Sequence, residues 1–503
     1  MKFSRSAGIL LHISSLPNGY GIGDLGKCAY DWVDFLSETG TGLWQILPYH
    51  PPGEGNSPYQ GLSAFAGNPL FIDPQFFIDN DLLTPKHIAQ HANFLNKSVD
   101  FKLVSEWKNR IFKIAFQEFI CQNTSNKLHK QFERFITDNS KWLDDSSLFM
   151  VIREKFKQSS WVHWPKNYRF RDKNTLAEFY EKHNQDINYQ KFIQFIFFTQ
   201  WKLLHKYALK KGIRIIGDIP IFMGYDSADV WSHPNLFQLD NQLIPDVVAG
   251  VPPDYFSSDG QLWGNPLYAW EEHKQNNFSW WIDRVKYMRQ MVDVIRLDHF
   301  RGFSAAWEIP NGSLTAKDGK WVEGPTFAFF DAIKNGLNNL PFFAEDLGVI
   351  TPDVIELRDH YQMPGMRIMQ FGFGESGNKE NLPENFPVNC VAYTGTHDNP
   401  PTRGWFDTSP DVLRESCSQY LRGNEENIAH LMIQAIWKSP AVYSIAPMQD
   451  FLNLGNNARM NTPSVPLGNW AWRMSPISIT PKLIEWIKDI NLENNRSIKE
   501  NIN

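Results

Sequence analysis

The sequence predicts an α/β protein whose core is a (β/α)8 TIM barrel carrying large inserted subdomains. Three observations lead there. Eight short apolar runs rich in β-branched residues each end in polar, Gly or Pro signals, and helical patterns separate several of them. Buried strands that alternate with helices imply a parallel sheet. Eight of them favour closure into a barrel over an open doubly wound sheet. Finally, no GxGxxG or GxxxxGK[ST] fingerprint follows any run, which weakens a nucleotide-binding alternative.

The elements follow in order. The first strand is read at GILLHISS (8–15), with a helix at AYDWVDFLSETG (29–40), and the second strand at GLWQILPYH (42–50). Residues 83–205 then carry mostly helical patterns, among them WKNRIFKIAFQEFI, KQFERFI, SSLFMVIREKF and LAEFYEKH, so a helical subdomain is expected between the second and third strands. A helix at 192–212 leads into the third strand, IRIIGDIPIF (213–222). Residues 223–291 form a second insertion, between the third and fourth strands, which contains the Pro-, Gly- and aromatic-rich stretch VAGVPPDYFSSDGQLWGNPLYAW (248–270). Connections this long carry function or structure of their own.

The fourth strand is VDVIRLDHF (292–300), followed by a helix at 329–339. The fifth is PFFAEDL (341–347), with a helix at 352–362, and the sixth is MRIMQFGF (366–373). CVAYTGTHD (390–398), a helix at 427–438 and AVYSIAPMQDF (441–451) supply the seventh strand, its helix and the eighth strand. No further run of strands follows, so no C-terminal β-sandwich is expected, and residues 1–503 are read as one catalytic barrel with its insertions.

Composition narrows the functional classes. The net charge of −6 is spread over a chain with 21% charged residues and no long single-sign block, which argues against nucleic acid as a partner. With 42% hydrophobic residues the chain can bury a large core and lacks the signature of disorder. Cys28, Cys121, Cys390 and Cys417 are scattered, with no CxxC and no Cys/His spacing that suits zinc, so they are expected to be reduced and mostly buried. The N-terminal apolar stretch is short and interrupted by His12, unlike a signal peptide, and no run of about 18 apolar residues exists to span a membrane. A cytoplasmic protein without cofactor or metal is the expectation. Aromatic residues make up 14% of the chain; flat rings with a polar edge suit pyranose faces, and equally fill ordinary cores.

Chemistry in such barrels gathers at the C-terminal ends of the strands. Four carboxylates stand there: Asp218, Asp298, Glu345 and Asp398. Any one of them has a plain explanation as a turn former or helix cap. Four at one mouth need another reason, because crowded like charges repel. Retaining glycosidic transfer supplies one: one carboxylate attacks the anomeric carbon and a protonated one, roughly 5–5.5 Å away, donates to the leaving oxygen. Arg296 lies two residues before Asp298 and on a strand shares its face, where a guanidinium favours the ionised form. His397 precedes Asp398 and is placed to meet sugar hydroxyls. His299, by strand alternation, is expected to point away from Asp298, and Asp346 to be structural.

GDIPIF, IRLDHFRGF, FFAEDLG and THDNPPTRGW resemble, in order, the four short regions of the α-amylase superfamily. More closely, residues 55–73, 248–270, 363–373 and 458–473 resemble amylomaltase, the 4-α-glucanotransferase or disproportionating-enzyme family (glycoside hydrolase family 77), and the likeness covers nearly the whole chain. The resemblance implies that Asp298 is the nucleophile, Glu345 the general acid and then base, and Asp398 the transition-state stabiliser. It places Arg296, His397 and Asp218 around subsite −1, and Tyr59 against donor sugars. Trp263 and Tyr255 would cover the acceptor groove, with Phe371 and Asn399 among the substrate-binding residues. Substrates would be α-1,4-glucans such as maltooligosaccharides and starch- or glycogen-derived dextrins, with glucose as an acceptor.

Two departures stand out from a typical α-amylase: GDIPIF lacks the Asn-His pair after the third strand, which fits the transferase branch, and Pro400-Pro401 follow Asn399 where relatives often have Asp-Thr. Three alternatives remain at this point. A maltodextrin hydrolase differs in whether water or a sugar resolves the intermediate, and a glucan-binding protein would show no turnover. A metal-dependent barrel hydrolase lacks an HxH or comparable ligand cluster at a strand end.

Overall fold

A computed structural model describes residues 3–89, 94, 97–122, 126–253, 258–374 and 377–498. Its strands, in chain order, are β1 Ser6–Leu10, β2 Leu43–Gln45, β3 Arg214–Ile219, β4 Val247–Val251, β5 Gln261–Pro266, β6 Val294–Leu297, β7 Ala305–Pro310, β8 Lys320–Glu323, β9 Phe342–Ala344, β10 Gly365–Ile368, β11 Cys390–Tyr393 and β12 Tyr443–Pro447. Eight of these form one parallel sheet in the order β10-β11-β12-β1-β2-β3-β6-β9. Its two edges meet where the Ala344 N–H donates to the Pro364 carbonyl at 2.8 Å, so the sheet curls into a barrel. Each barrel strand overlaps one of the eight apolar runs, with β1 beginning two residues and β10 one residue before its run.

Side-chain alternation along a strand sorts these residues into two layers. Leu10, Leu43, Ile216, Val294, Phe343, Ile368, Val391 and Ile445 fill the barrel interior. Their neighbours Ile9, Trp44, Ile215, Ile295, Phe342 and Ala392 pack outward in the core beneath the helices. Fully burying each of the larger apolar side chains contributes about 1.5–3 kcal/mol. Gly8 takes an inward position on β1 because a Cβ there would lie 2.9 Å from that of Leu43. The same alternation decides where the chemistry goes. Asp218 follows Ile216 by two, Arg296 follows Val294 by two, and Glu345 follows Phe343 by two, so all three inherit the inward face at the C-terminal rim.

Between β2 and β3 lie the helices Phe101–Cys121, Lys127–Lys155, Lys173–Lys182 and Asn184–Lys210. The last runs straight into β3, and its Trp201 indole donates to the Met291 carbonyl at 2.8 Å beneath β6. Lys108, wholly buried, anchors this layer by donating to the Leu70 and Ile72 carbonyls, 2.7 Å each, with Asp24 at 3.9 Å.

The segment after β3 holds structure that its composition concealed. β4 and β5 form an antiparallel hairpin, and β7 and β8, from beyond β6, complete a four-stranded sheet in the order β5-β4-β7-β8. Its core is small, built from Val248, Ile309 and Ala316 against Trp307. The strands at 305–310 and 320–323 have no counterpart among the apolar runs, because Glu308 interrupts the first, charged residues bound the second and a polar turn separates the pair. Cys390 and Cys417 are buried, Cys28 is half-buried and Cys121 is exposed rather than buried; all four are unpaired. Among the described residues, no helix is long and apolar enough to cross a membrane, and no strand follows β12.

Candidate active site

Arg296 is the hub of the barrel mouth. It is 3% exposed, and its Nη1 donates to Asp218 Oδ2 and to Asp298 Oδ1, both at 2.7 Å. The first contact follows from strand register, since Asp218 and Arg296 are paired across β3 and β6. The second follows from the two-residue spacing. Burial works against the guanidinium charge, but Asp218 and Asp298 outweigh it and push the Arg296 pKa upward. The Tyr59 hydroxyl donates to the same Asp218 Oδ2 at 2.8 Å. Burial pushes the Asp218 carboxyl up to about 7, with Arg296 opposing and Asp298 reinforcing the rise. Its Oδ1 is buried and has no partner among the described residues.

Glu345 and Asp298 stand beside each other in unequal environments. Glu345 Oε2 accepts from the His299 backbone N–H at 2.6 Å and Oε1 from the Leu347 N–H at 3.1 Å. Burial pushes its carboxyl up to about 8; Arg296 opposes this and the Asp298 charge adds to it. Glu345 therefore holds its proton at neutral pH. Burial also raises Asp298, but Arg296 answers that rise directly through its hydrogen bond. Burial thus raises both carboxyls, and only Asp298 has the guanidinium bonded to it.

Asp398 enters from the turn after β11. Its Oδ1 accepts from Asn461 Nδ2 at 2.6 Å, and its Oδ2 lies 3.2 Å from His397 Nε2. His397 stacks on Tyr59 with ring centroids 5.2 Å apart and planes at 10°. Burial lowers its pKa against the pull of Asp398, which favours the neutral imidazole. Asp450, buried, accepts from the hydroxyls of Thr394 (2.5 Å) and Thr402 (2.7 Å) and from the Thr402 N–H (2.6 Å), so it ties both ends of the turn to the segment after β12.

The structure thus brings Asp218, Arg296, Asp298, Glu345, His397, Asp398 and Tyr59 into one cluster. The Tyr59 ring is held by His397 and its hydroxyl by Asp218, so it is part of the cluster's frame. Trp263 lies on β5 with its indole edge-on to His299, centroids 4.8 Å apart, bordering the Glu345 side. Phe371 packs on the inner barrel core from the turn after β10. Asn399 Oδ1 accepts from the Thr396 N–H and hydroxyl, so that atom is spent on holding the turn. Tyr255 lies outside the described residues. Asp346 accepts from the Met366 N–H at 2.6 Å and from Arg358, joining β9 to β10.

For His299 the alternation argument does not apply. β6 ends at Leu297, and His299 adopts a left-handed conformation with φ 48° and ψ 52°. The residue directs its N–H at Glu345 while its ring packs against Trp263 and Phe222. Asn461, Asp450 and Arg459, whose guanidinium donates to the Asp398 carbonyl at 2.6 Å, also have no signal in the sequence. Asn461 sits within the 458–473 motif, yet no spacing links it to a carboxylate 63 residues earlier. Among the described residues, no group of three or more His, Cys, Asp or Glu is arranged to hold a metal ion.

Residues 11–480 match the glycoside hydrolase family 77 model, described as 4-alpha-glucanotransferase. The 4-alpha-glucanotransferase of Clostridium butyricum is 44% identical over 94% of this chain and 97% of its own length. That of Thermus thermophilus is 41% identical over 96% and 97%, respectively. Among solved structures, amylomaltase from Streptococcus agalactiae in complex with acarbose superposes with a TM-score of 0.94 at 38% identity, covering 98% of this chain and all of that one. Amylomaltase from Corynebacterium glutamicum, 17% identical with a TM-score of 0.77 over 98% of this chain and 74% of its own, shares the fold. With the barrel, the carboxylate cluster and these relatives together, the chain belongs to the 4-alpha-glucanotransferase family, glycoside hydrolase family 77.

Proposed function

We propose that this 4-α-glucanotransferase works by retaining double displacement, with Asp298 as nucleophile and Glu345 as acid and base. The observation that carries the reading is the contrast around Arg296: Asp298 is bonded to the guanidinium, which favours its ionised form, beside a Glu345 whose pKa is pushed up to about 8. In the first step an Asp298 oxygen bonds to the anomeric carbon as the glycosidic bond breaks, and Glu345 gives its proton to the leaving 4-oxygen. In the second, the Glu345 carboxylate takes the proton of an acceptor 4-hydroxyl, whose oxygen displaces Asp298. Asp398 supports the oxocarbenium-like charge, and Arg296, His397 and Asp218 surround the sugar at subsite −1.

Substrates are α-1,4-glucans from maltooligosaccharides to starch- or glycogen-derived dextrins, with glucose among the acceptors. Four unpaired cysteines support a cytoplasmic setting. Incubation with maltotriose alone tests the reaction. A ladder of longer maltodextrins plus glucose, at constant reducing ends, is expected; rising reducing ends with only shorter products would make the enzyme a hydrolase.

Trp263 borders the acid on the side where the leaving group departs and the acceptor arrives. Trp263→Ala is therefore expected to lower the ratio of transfer to hydrolysis by about 2- to 10-fold, the loss of one aromatic contact of ~0.5–1.5 kcal/mol. Initial rates of glucose release and of ladder formation from maltotriose measure the ratio. An unchanged ratio would remove Trp263 from the acceptor side.

A further inference from the structure

We infer that His299 is a positioning residue for the general acid, acting through its backbone N–H and its left-handed conformation. The inference rests on Glu345 being the acid. Asp298 and His299 are consecutive, so one peptide unit fixes both halves of the chemistry: the Asp298 side chain meets Arg296, and the next N–H meets Glu345 Oε2 at 2.6 Å. The Glu345 N–H donates to the Leu297 carbonyl and the Phe300 N–H to the Glu345 carbonyl, each at 3.0 Å, so strand ends and turn are stitched into one unit. Only a sharp reversal between β6 and the 3-10 turn Phe300–Phe303 presents the N–H there, and His299 makes it at φ 48°.

That conformation is sparsely populated for residues with a Cβ, with Asn, Asp and His among the tolerated exceptions. Residues held in it persist where surrounding structure over-determines them, and they cluster at active sites. Here the ring supplies the restraint. It lies edge-on to Trp263 at 4.8 Å and beside Phe222 at 6.3 Å, and burial drives its pKa down to about 4, so it enters this contact as a neutral imidazole.

The consequence is electrostatic as well as geometric. An N–H aimed at a carboxylate favours the ionised form, so this bond holds the Glu345 pKa below where burial alone would leave it. The charged groups facing Glu345 are Arg296 and Asp298 on the β6 side and Asp346 on its own segment; Asp218 with Tyr59, and His397 with Asp398, act on it through Arg296 and Asp298. Arg296 and Asp346 are held by other elements, and the Asp298 carboxylate stays tied to Arg296, so the chief change when the His299 backbone relaxes is loss of this bond, which should raise the Glu345 pKa. An acid must be protonated to act. The basic limb of kcat/KM then shifts to higher pH, while the misplaced carboxyl lowers kcat.

His299→Ala and His299→Gly separate backbone from ring, since both lack the ring and differ by one methyl group. Glycine adopts the left-handed conformation freely and alanine does not. For His299→Ala the expected result is a basic limb displaced upward by about one pH unit, with kcat reduced roughly 10- to 100-fold, as for a small displacement of a catalytic group. For His299→Gly the limb should return to its wild-type position, whatever the rate loses with the ring. His299→Ser gives a second variant that disfavours the conformation, should the Ala protein fail to fold. Equal limbs in the Gly variant and the Ala or Ser variant, shifted or not, would overturn the inference. Glu345→Gln, run in parallel, separates the two readings: if it keeps activity the acid is misassigned, whereas an inactive Glu345→Gln beside equal limbs rejects only the role of His299.

Discussion

Asp298→Asn is expected to yield a folded protein whose kcat/KM for maltotriose is lower by about 10⁴-fold or more, the scale seen when a covalent nucleophile is removed. The substitution keeps the shape of the side chain and removes its charge. A carboxamide oxygen is a poor nucleophile toward an anomeric carbon, and no other carboxylate can take its place: Asp218 is buried and bonded to Tyr59 and Arg296, and Asp398 is bonded to Asn461 on a different turn. The fold should tolerate the change, because Arg296 keeps its ion pair with Asp218 and Asp298 is itself partly open to solvent, its side chain 25% exposed. Removing this anion also relieves Glu345 of a neighbour that raises its pKa, so the residual activity should have its basic limb at lower pH than wild type. Mass spectrometry of acid-quenched enzyme gives an independent readout: wild type shows a glycosyl adduct and the variant shows none. Activity within tenfold of wild type, in a protein of unchanged circular dichroism, would reject Asp298 as nucleophile.

Why these residues were legible in the sequence, and others were not, follows from the range of the interactions that place them. Barrel strands are buried on both faces, so they read as continuous apolar runs, and a period of two then puts Asp218, Arg296 and Glu345 inside without any knowledge of the fold's closure. The Arg296–Asp298 contact is also local, two residues along one chain. The strand pair at 305–323 was hidden for the opposite reason. It packs on a small cluster of three buried side chains, and none of the four residues of β8 is buried, so little apolar pattern is needed to hold it.

Contacts between distant turns left no sequence signal at all. Asn461 reaches Asp398 and Asp450 reaches Thr394 across 63 and 56 residues, and each is an ordinary polar residue until the barrel brings these segments together. His299 shows a third limit. Strand alternation cannot be extended two residues past Leu297, because the chain turns there and a backbone group, which no side-chain pattern reports, meets Glu345. Tyr59 was identified through its motif as a sugar platform; its hydroxyl on Asp218 and its ring on His397 give it a second duty that the motif does not specify.

Glu345→Gln should separate the two chemical steps. The glutamine cannot protonate a leaving glucan, so cleavage of maltotriose is expected to slow by about 10²- to 10⁴-fold, the usual worth of general acid catalysis. The wild-type profile carries the same information in another form: activity requires a protonated Glu345 and should fall as pH rises through about 8, and this basic limb should vanish in the variant. A donor that departs without a proton, such as an α-maltosyl fluoride, bypasses the missing acid, because Asp298 and its guanidinium partner are untouched. The first step then proceeds, but no base remains to deprotonate an acceptor hydroxyl. The covalent adduct on Asp298 should therefore accumulate, visible as a mass increase of one glycosyl unit. Azide attacks without giving up a proton, so it should discharge that adduct and restore turnover in the variant while leaving wild type little changed. Fluoride donors no faster than maltotriose, or an adduct that decays at the wild-type rate without azide, would show that the proton handled at this site does not belong to Glu345.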